Sequence, residues 1–173
     1  MNPRVIEVVD YRCSWIDEFN REKVLIESAL NLDNVAAIHH IGSTSVKGLC
    51  AKPIIDILIE VNSLEEMDNE NYLMESLGYK VKGEFGIAGR RYYQKGGIQR
   101  SHQVHVFLVG SSEVKRHIAF RDYLTTFPEI ASLYDSLKRE GAEICDNDID
   151  AYSTHKESFI KEHEKNALRW KYT

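Results

Sequence analysis

The period of the hydrophobic positions changes along the chain, and each change predicts an element. Ser14 stands where an N-cap belongs, and Trp15, Ile16, Phe19, Ile26 and Leu30 follow at roughly helical spacing, which predicts an amphipathic first helix. Val35 to Ile41 reads as a short strand, followed by the polar turn Gly42-Ser43-Thr44-Ser45. After a Lys52-Pro53 break, the run Ile54 to Val61 is β-branched, apolar on both parities and too short for an ordinary helix. It predicts a buried central strand.

Ser63-Leu64-Glu65-Glu66 fits a capping box, and the helix it opens should end near Leu77 with Gly78 at the C-cap. Two or three strands are predicted next, at about 79–84, 90–95 and 103–109, separated by glycine-bearing turns. Beyond Gly110 the pattern is helical. A second capping box, Thr126-Phe127-Pro128-Glu129, divides a helix of about 112–125 from one of about 127–140. The acidic stretch Glu143 to Asp150 is read as a loop, and Ala151 to Trp170 as a long closing helix. Central strands with helices at the ends predict an α+β fold, a small mixed sheet with helices packed on one side. No repeat or linker divides residues 1–173, so a single domain is expected.

Composition narrows the class. With 43% hydrophobic and 28% charged residues the chain is globular, neither disordered nor collagen-like. A net charge of −5 gives no whole-chain attraction to nucleic acid or anionic membrane. No apolar run approaches the roughly 20 residues of a bilayer span, and the N-terminus lacks a signal-peptide pattern. Cys13, Cys50 and Cys145 are an odd, widely spaced set, read as reduced thiols of a cytoplasmic protein.

Two local features carry chemistry. In the 42–45 turn a glycine is followed by three hydroxyl residues, so backbone N–H groups and the Ser43, Thr44 and Ser45 side chains can converge on an anion such as phosphate. The alternative is an ordinary cap between a strand and a helix. Asp56 places a carboxylate inside a run otherwise made of Ile and Leu, where desolvation costs several kcal/mol unless a partner or a metal compensates. The alternative is a buried Asp paired with an Arg or capping a loop.

The segment His39 to Ile57, with Ile41-Gly42-Ser43-Thr44-Ser45-Val46-Lys47-Gly48-Leu49 and Lys52-Pro53-Ile54-Ile55-Asp56-Ile57 inside it, closely resembles the signature of the GrpB family. The resemblance continues in His102-Gln103-Val104-His105-Val106-Phe107, in Arg116-His117 with Phe120 to Leu124, and in Tyr152 with Lys156, Phe159-Ile160 and Trp170. That family is placed in the nucleotidyltransferase superfamily, which implies a nucleotidyltransferase-like fold. It also implies a Gly-Ser turn gripping a triphosphate, and two acidic residues, one residue apart on a strand, holding catalytic magnesium. Gly42-Ser43 and Asp56 match that layout, with 12 residues between Ser43 and Asp56, but the second acidic position is Leu58.

Glu60 cannot replace it. At roughly 3.3 Å per residue it lies about 13 Å from Asp56, whereas two ligands of one magnesium lie within about 4 Å of each other. The strand that should supply a third carboxylate offers His102 and His105, which suit zinc, manganese or iron better than magnesium. What the resemblance leaves is one divalent metal (magnesium or manganese) on Asp56 with His105 or His102, or binding without transfer. Relatives of the family fused to a dephospho-coenzyme A kinase domain point towards coenzyme A or nucleotide metabolism.

Two helical faces carry inward charge. Tyr152, Lys156, Phe159, Ile160, His163, Ala167 and Trp170 form one stripe, interrupted by Lys156; Val114, Ile118, Arg121 and Leu124 form another, interrupted by Arg121. Such cations either snorkel outward, pair with Asp56, or face an anionic ligand. Residues 80–100 hold six cations against the single Glu84, and Arg91 or Lys95 would contact phosphate or base if it pointed towards Ser43. Too few aromatic residues interleave there to favour RNA.

The reading that follows is a nucleotidyltransferase-like protein binding a nucleotide or phosphorylated small molecule. Gly42, Ser43, Thr44 and Ser45 hold phosphate, and Lys52, Arg91, Arg121 and Lys156 supply positive charge. Asp56 and Lys156 are the catalytic candidates if a nucleoside monophosphate is transferred to a small acceptor. The alternative is a catalytically reduced ligand-binding or regulatory module, and a third reading is a toxin-antitoxin-type transferase acting on RNA or protein. No membrane or nucleic-acid partner is expected, and no pattern in the chain speaks to an oligomeric state.

Overall fold

In the computed structural model, which describes residues 7–173, the chain alternates helix and strand before closing with three long helices. The elements are α1 (Ser14–Ala29), β1 (Val35–Ile41), β2 (Ile55–Val61), α2 (Leu64–Asn69), α3 (Asn71–Ser76), β3 (Lys80–Val81), β4 (Arg91–Lys95), β5 (His102–Leu108), α4 (Ser112–Thr126), α5 (Pro128–Ile144) and α6 (Ile149–Tyr172). The sheet runs β1-β2-β5-β4-β3. Its central pair, β2 and β5, is parallel and the outer pairs are antiparallel, so the sheet is mixed and the fold α+β.

The double-sided apolar pattern of β2 decides the layering. Ile55, Ile57, Ile59 and Val61 share one face with Tyr93, Val104 and Val106, beneath Trp15, Phe19 and Ile26 of α1 and the methionines Met67 and Met74. On the other face Leu58 packs with Ile41, Phe107 and Val114 of α4. Both faces are therefore covered by helices, which corrects the one-sided packing expected from sequence. A central strand apolar on both parities exposes hydrophobic surface wherever a cover is missing, at roughly 25 cal/mol per Å².

Several helix ends differ from expectation. Ser14 is the first residue inside α1, and Cys13 flanks it without a side-chain cap. Ser63 does accept from Glu66 N, and Gly78 adopts φ +97° after the last helical turn. The helix between them breaks at Glu70, whose carboxylate accepts from Asn31 N. Thr126 ends α4 rather than capping α5, because Pro128 has no N–H to continue the earlier ladder and starts the new helix instead. The acidic loop shrinks to 145–148, since Asp148 Oδ1 accepts from Asp150 N and Ala151 N and opens α6 early. All three cysteines are free, and no helix among the described residues is long and apolar enough to cross a membrane. Residues 1–6, where a leader would begin, lie outside the described residues.

Three histidines are held neutral by this packing. Burial lowers His40, stacked on Phe19, to about 4, and lowers His117, which lies over His105 and Phe107, to about 3. His102 is also lowered by burial, opposed by Glu22. The unfolded chain protonates these groups first, so each subtracts stability as pH falls below about 6.5, by up to about 1.4 kcal/mol per pH unit. Urea denaturation between pH 7 and 5 should show that loss, and His117→Gln should reduce its slope.

Candidate functional site

The 42–45 turn and the start of β2 meet because Gly42 allows it. Gly42 has φ +72°, and a Cβ there would sit 2.7 Å from Asp56 Oδ2. Ser43 to Ser45 form one 3-10 turn in which Ser45 Oγ donates to Gly42 O and Thr44 Oγ1 bonds His40 Nε2. Ser45 and Thr44 thus spend their hydroxyls inside the turn. Ser43 remains at the cavity edge, its hydroxyl bonded to the phenol of Tyr134.

Asp56 faces the α4–α6 side of the sheet, paired in register with Ile41 and Gln103. Its Oδ1 lies 3.2 Å from His105 Nε2. The other ring nitrogen of His105 lies 3.5 Å from Arg90 Nη1, which can only donate, so Nδ1 accepts and Nε2 carries the proton towards Asp56. With its amide nitrogen turned to the carboxylate, Gln103 donates to Asp56 Oδ1 at 3.0 Å and accepts from Tyr92 Oη and Arg100 Nη1. The carboxylate is positioned by neutral donors rather than neutralised by an arginine.

A cavity of about 250 Å³ opens beside it, lined by Ser43, Asp56, Tyr134 and Tyr152 and by three lysines, Lys52, Lys138 and Lys156. Lys138 comes from the buried stripe of α5, Tyr134-Lys138-Gly141. Gly141 lets α6 approach closely, since a Cβ there would meet Tyr152 Cδ2 at 3.3 Å. Lys138 Nζ donates to Cys50 O at 2.6 Å, and Lys156 Nζ lies 4.4 Å from the centre of the Tyr152 ring. Burial, then Lys156 and Lys52, lower Lys138 to about 7 against the opposing pull of Cys50 and Asp135. Burial also lowers Lys156, with Asp56 opposing. Burial raises the Tyr134 and Tyr152 phenols, so both remain neutral donors, and Tyr152 Oη is buried with no hydrogen-bond partner among the described residues. The cavity is rich in donors and poor in acceptors.

The structure therefore brings together Gly42, Ser43, Lys52, Asp56 and Lys156, with Thr44 in the cavity wall. His105, outside the cavity lining, meets Asp56 at 3.2 Å, while His102, Arg91 and Arg121 are held elsewhere. His102 pairs with Ile55 and so projects on the α1 face, 3.7 Å from Glu22, on the side opposite Asp56. Arg91 also lies on that face and grips Asp68 with Nε at 2.7 Å and Nη2 at 3.1 Å. Arg121 donates to His40 O and Asp122 and does not line the cavity. The basic 80–100 segment disperses likewise, with Lys95 on Glu22 and Arg90 on the carbonyls of Glu84 and Phe85.

Of the expected metal ligands Asp56 and His105 meet, 3.2 Å apart, and His102 lies on the opposite face of the sheet. His105 points a proton at Asp56, Leu58 is fully buried among apolar side chains, and Glu60 is bound to His39 and Gly110 N. Among the described residues no three His, Cys, Asp or Glu side chains form a group able to hold a metal. Sequence reasoning missed Lys138, Tyr134 and Gln103. The signal for Lys138 was available, since it interrupts the Ile130, Tyr134 and Gly141 stripe as Lys156 interrupts its own.

A family model described as GrpB protein matches residues 5–166. The chain is 45% identical over 168 residues to the UPF0157 protein YqkA of Bacillus subtilis, covering 97% of this chain and 49% of that protein. It is 33% identical over 167 residues to the glutamate-rich protein GrpB of Alkalihalophilus pseudofirmus, covering 94% and 95%. It thus spans about half the length of the first relative and nearly all of the second. The crystal structure of conserved protein GrpB from Enterococcus faecalis superposes with a TM-score of 0.92 at 41% identity, over 96% of this chain and 100% of that one. A more distant likeness, 26% identical and covering 77% of this chain and 39% of the other, is to a protein of Mycolicibacterium paratuberculosis named dephospho-CoA kinase.

The closeness of Gly42 to Asp56 is measurable. Gly42→Ala forces both an unfavourable φ and a 2.7 Å clash, whereas Gly48→Ala has φ +86° and open space. Chemical denaturation should show a loss of about 1 kcal/mol for Gly48→Ala and a further 1–3 kcal/mol, roughly, for Gly42→Ala. Equal losses would mean that Asp56 yields freely.

Proposed function

The chain belongs to the GrpB family, and from its donor-rich cavity we propose that it binds a phosphorylated small molecule, nucleoside phosphates included. One observation carries this reading: among the described residues three lysines converge on one cavity whose lining holds a single carboxylate, Asp56. Charge-assisted hydrogen bonds from such donors suit phosphate oxygens. Ser43, Lys52 and Lys156 would take the phosphate, and the Tyr152 hydroxyl, without a partner among the described residues, would gain an acceptor. Asp56, held by His105 and Gln103, would accept from a hydroxyl or amine of the same ligand. The likeness to the dephospho-CoA kinase of Mycolicibacterium paratuberculosis supports a phosphorylated metabolite as the class.

Transfer of a nucleoside monophosphate is the second reading, favoured by the contact between the Gly42-Ser43 turn and Asp56. Among the described residues the donors around Asp56 give it no two-metal clamp.

Thermal unfolding with inorganic pyrophosphate, ATP and coenzyme A, each with and without manganese, tests the proposal. Binding raises stability by about 2.7 kcal/mol at a hundred times Kd. The midpoint should rise without manganese, and Lys156→Met should cancel most of the rise. No shift with any of the three compounds would overturn the reading. Transfer of label from ATP only in the presence of manganese would favour the second reading.

A further inference from the structure

Lys138 has an environment that a packing or anchoring lysine does not need. It is 2% exposed, yet its side chain borders the cavity. Its Nζ has one acceptor among the described residues, Cys50 O at 2.6 Å, and lies 5.2 Å from the centre of the Tyr134 ring. An ammonium has three N–H groups to satisfy, and among the described residues this one has no ion pair with a carboxylate. Asp135, whose charge reaches it, is engaged by Cys50 N and by Arg139. Lys156 and Lys52 oppose the Lys138 ammonium as like charges. Desolvation with neighbouring cations is the setting in which lysine amines become nucleophiles.

We propose that Lys138 is a nucleophilic amine, and that the cavity accepts a phosphorylated aldehyde or ketone whose carbonyl carbon Lys138 Nζ attacks to form an imine. The proposal rests on the phosphate-binding reading, because the phosphate places the carbonyl. The amine lone pair forms the C–N bond, and the carbonyl oxygen takes one of the two protons of the amine nitrogen, giving a carbinolamine. That intermediate loses its hydroxyl as water, with one proton from a neighbouring donor, and the nitrogen sheds its remaining proton. The balance is amine plus carbonyl to imine plus water, with no oxidant or reductant. Tyr152 Oη, buried and without a partner among the described residues, and the Lys156 ammonium are the donors at hand. A neutral imine also suits the site, since it adds no third positive charge beside Lys52 and Lys156.

The test incubates the whole chain with glycolaldehyde phosphate or with glycolaldehyde, traps imines with cyanoborohydride, and maps the modified lysines by mass spectrometry. Lys138 should be modified about tenfold faster or more by the phosphorylated aldehyde, the margin of one charge-assisted contact. Inorganic pyrophosphate should protect it. The rate should rise with pH through about 7 and then level. Lys138→Met, its fold checked by circular dichroism, should remove the modified peptide and leave surface labelling unchanged. Pyrophosphate binding without modification of Lys138 would overturn this proposal and leave the phosphate reading standing. Modification of Lys52 or Lys156 in its place would overturn it too. Neither binding nor modification would remove both.

Discussion

The site depends on an electrostatic imbalance. Among the described residues three lysines and one carboxylate line a single small cavity, with Lys138 almost entirely removed from water and Lys156 half-buried. Like charges sharing a cavity repel, and, besides burial, Lys156 and Lys52 lower the proton affinity of Lys138 in this way. The fold relieves this in part by letting Lys138 lose its proton near neutral pH. An anion would relieve it fully, which is why the cavity reads as a binding site rather than as packing. A purely structural core would place apolar side chains of the same volume there at no such cost.

The rest of the architecture serves to bring these groups together. β2 is buried on both faces, so its one early carboxylate must face a covering layer, and that layer is supplied by α4, α5 and α6. Gly42 brings the serine turn against Asp56, and Gly141 brings α6 against α5, so Lys138 and Lys156 reach the same space from different helices. His105 and Gln103 arrive from the parallel neighbour β5 and fix the orientation of the acid. The histidine acts as an orienting donor whose own partner is Arg90.

Much of this was legible in the residues. The span of β1, the start of α4 and the core of β2 follow from hydrophobic period and capping, because those signals are local. So were Gly42-Ser43, Asp56 and Lys156, each of which breaks a pattern in its own segment. Which face of a strand a residue takes is set by register, and register is a tertiary property. His102 and His105 stand three residues apart on β5 and therefore project to opposite faces, so only one can meet Asp56. Arg91 was lost for the same reason, its partner Asp68 lying on a helix that covers the far face. Lys138 passed unnoticed because one lysine on a helix stripe is ordinary until a second helix is packed against it.

The imbalance has a signature in the free protein. A lysine whose pKa falls on folding makes the native state gain stability as pH rises from the folded value towards the unfolded one, by about 1.4 kcal/mol per pH unit. Lys156 contributes with the same sign, while Cys50, raised to about 11 by burial and its bond to Asp135, opposes at the alkaline end. The decisive measurement is the free energy of unfolding from pH 6.5 to 9.5 for the wild type and for Lys138→Met. A wild-type curve that climbs above pH 7, with the climb reduced by roughly that amount per unit in the variant, is the expected result. Parallel curves would mean that Lys138 keeps an ordinary proton affinity, and the crowded-cation account would be wrong.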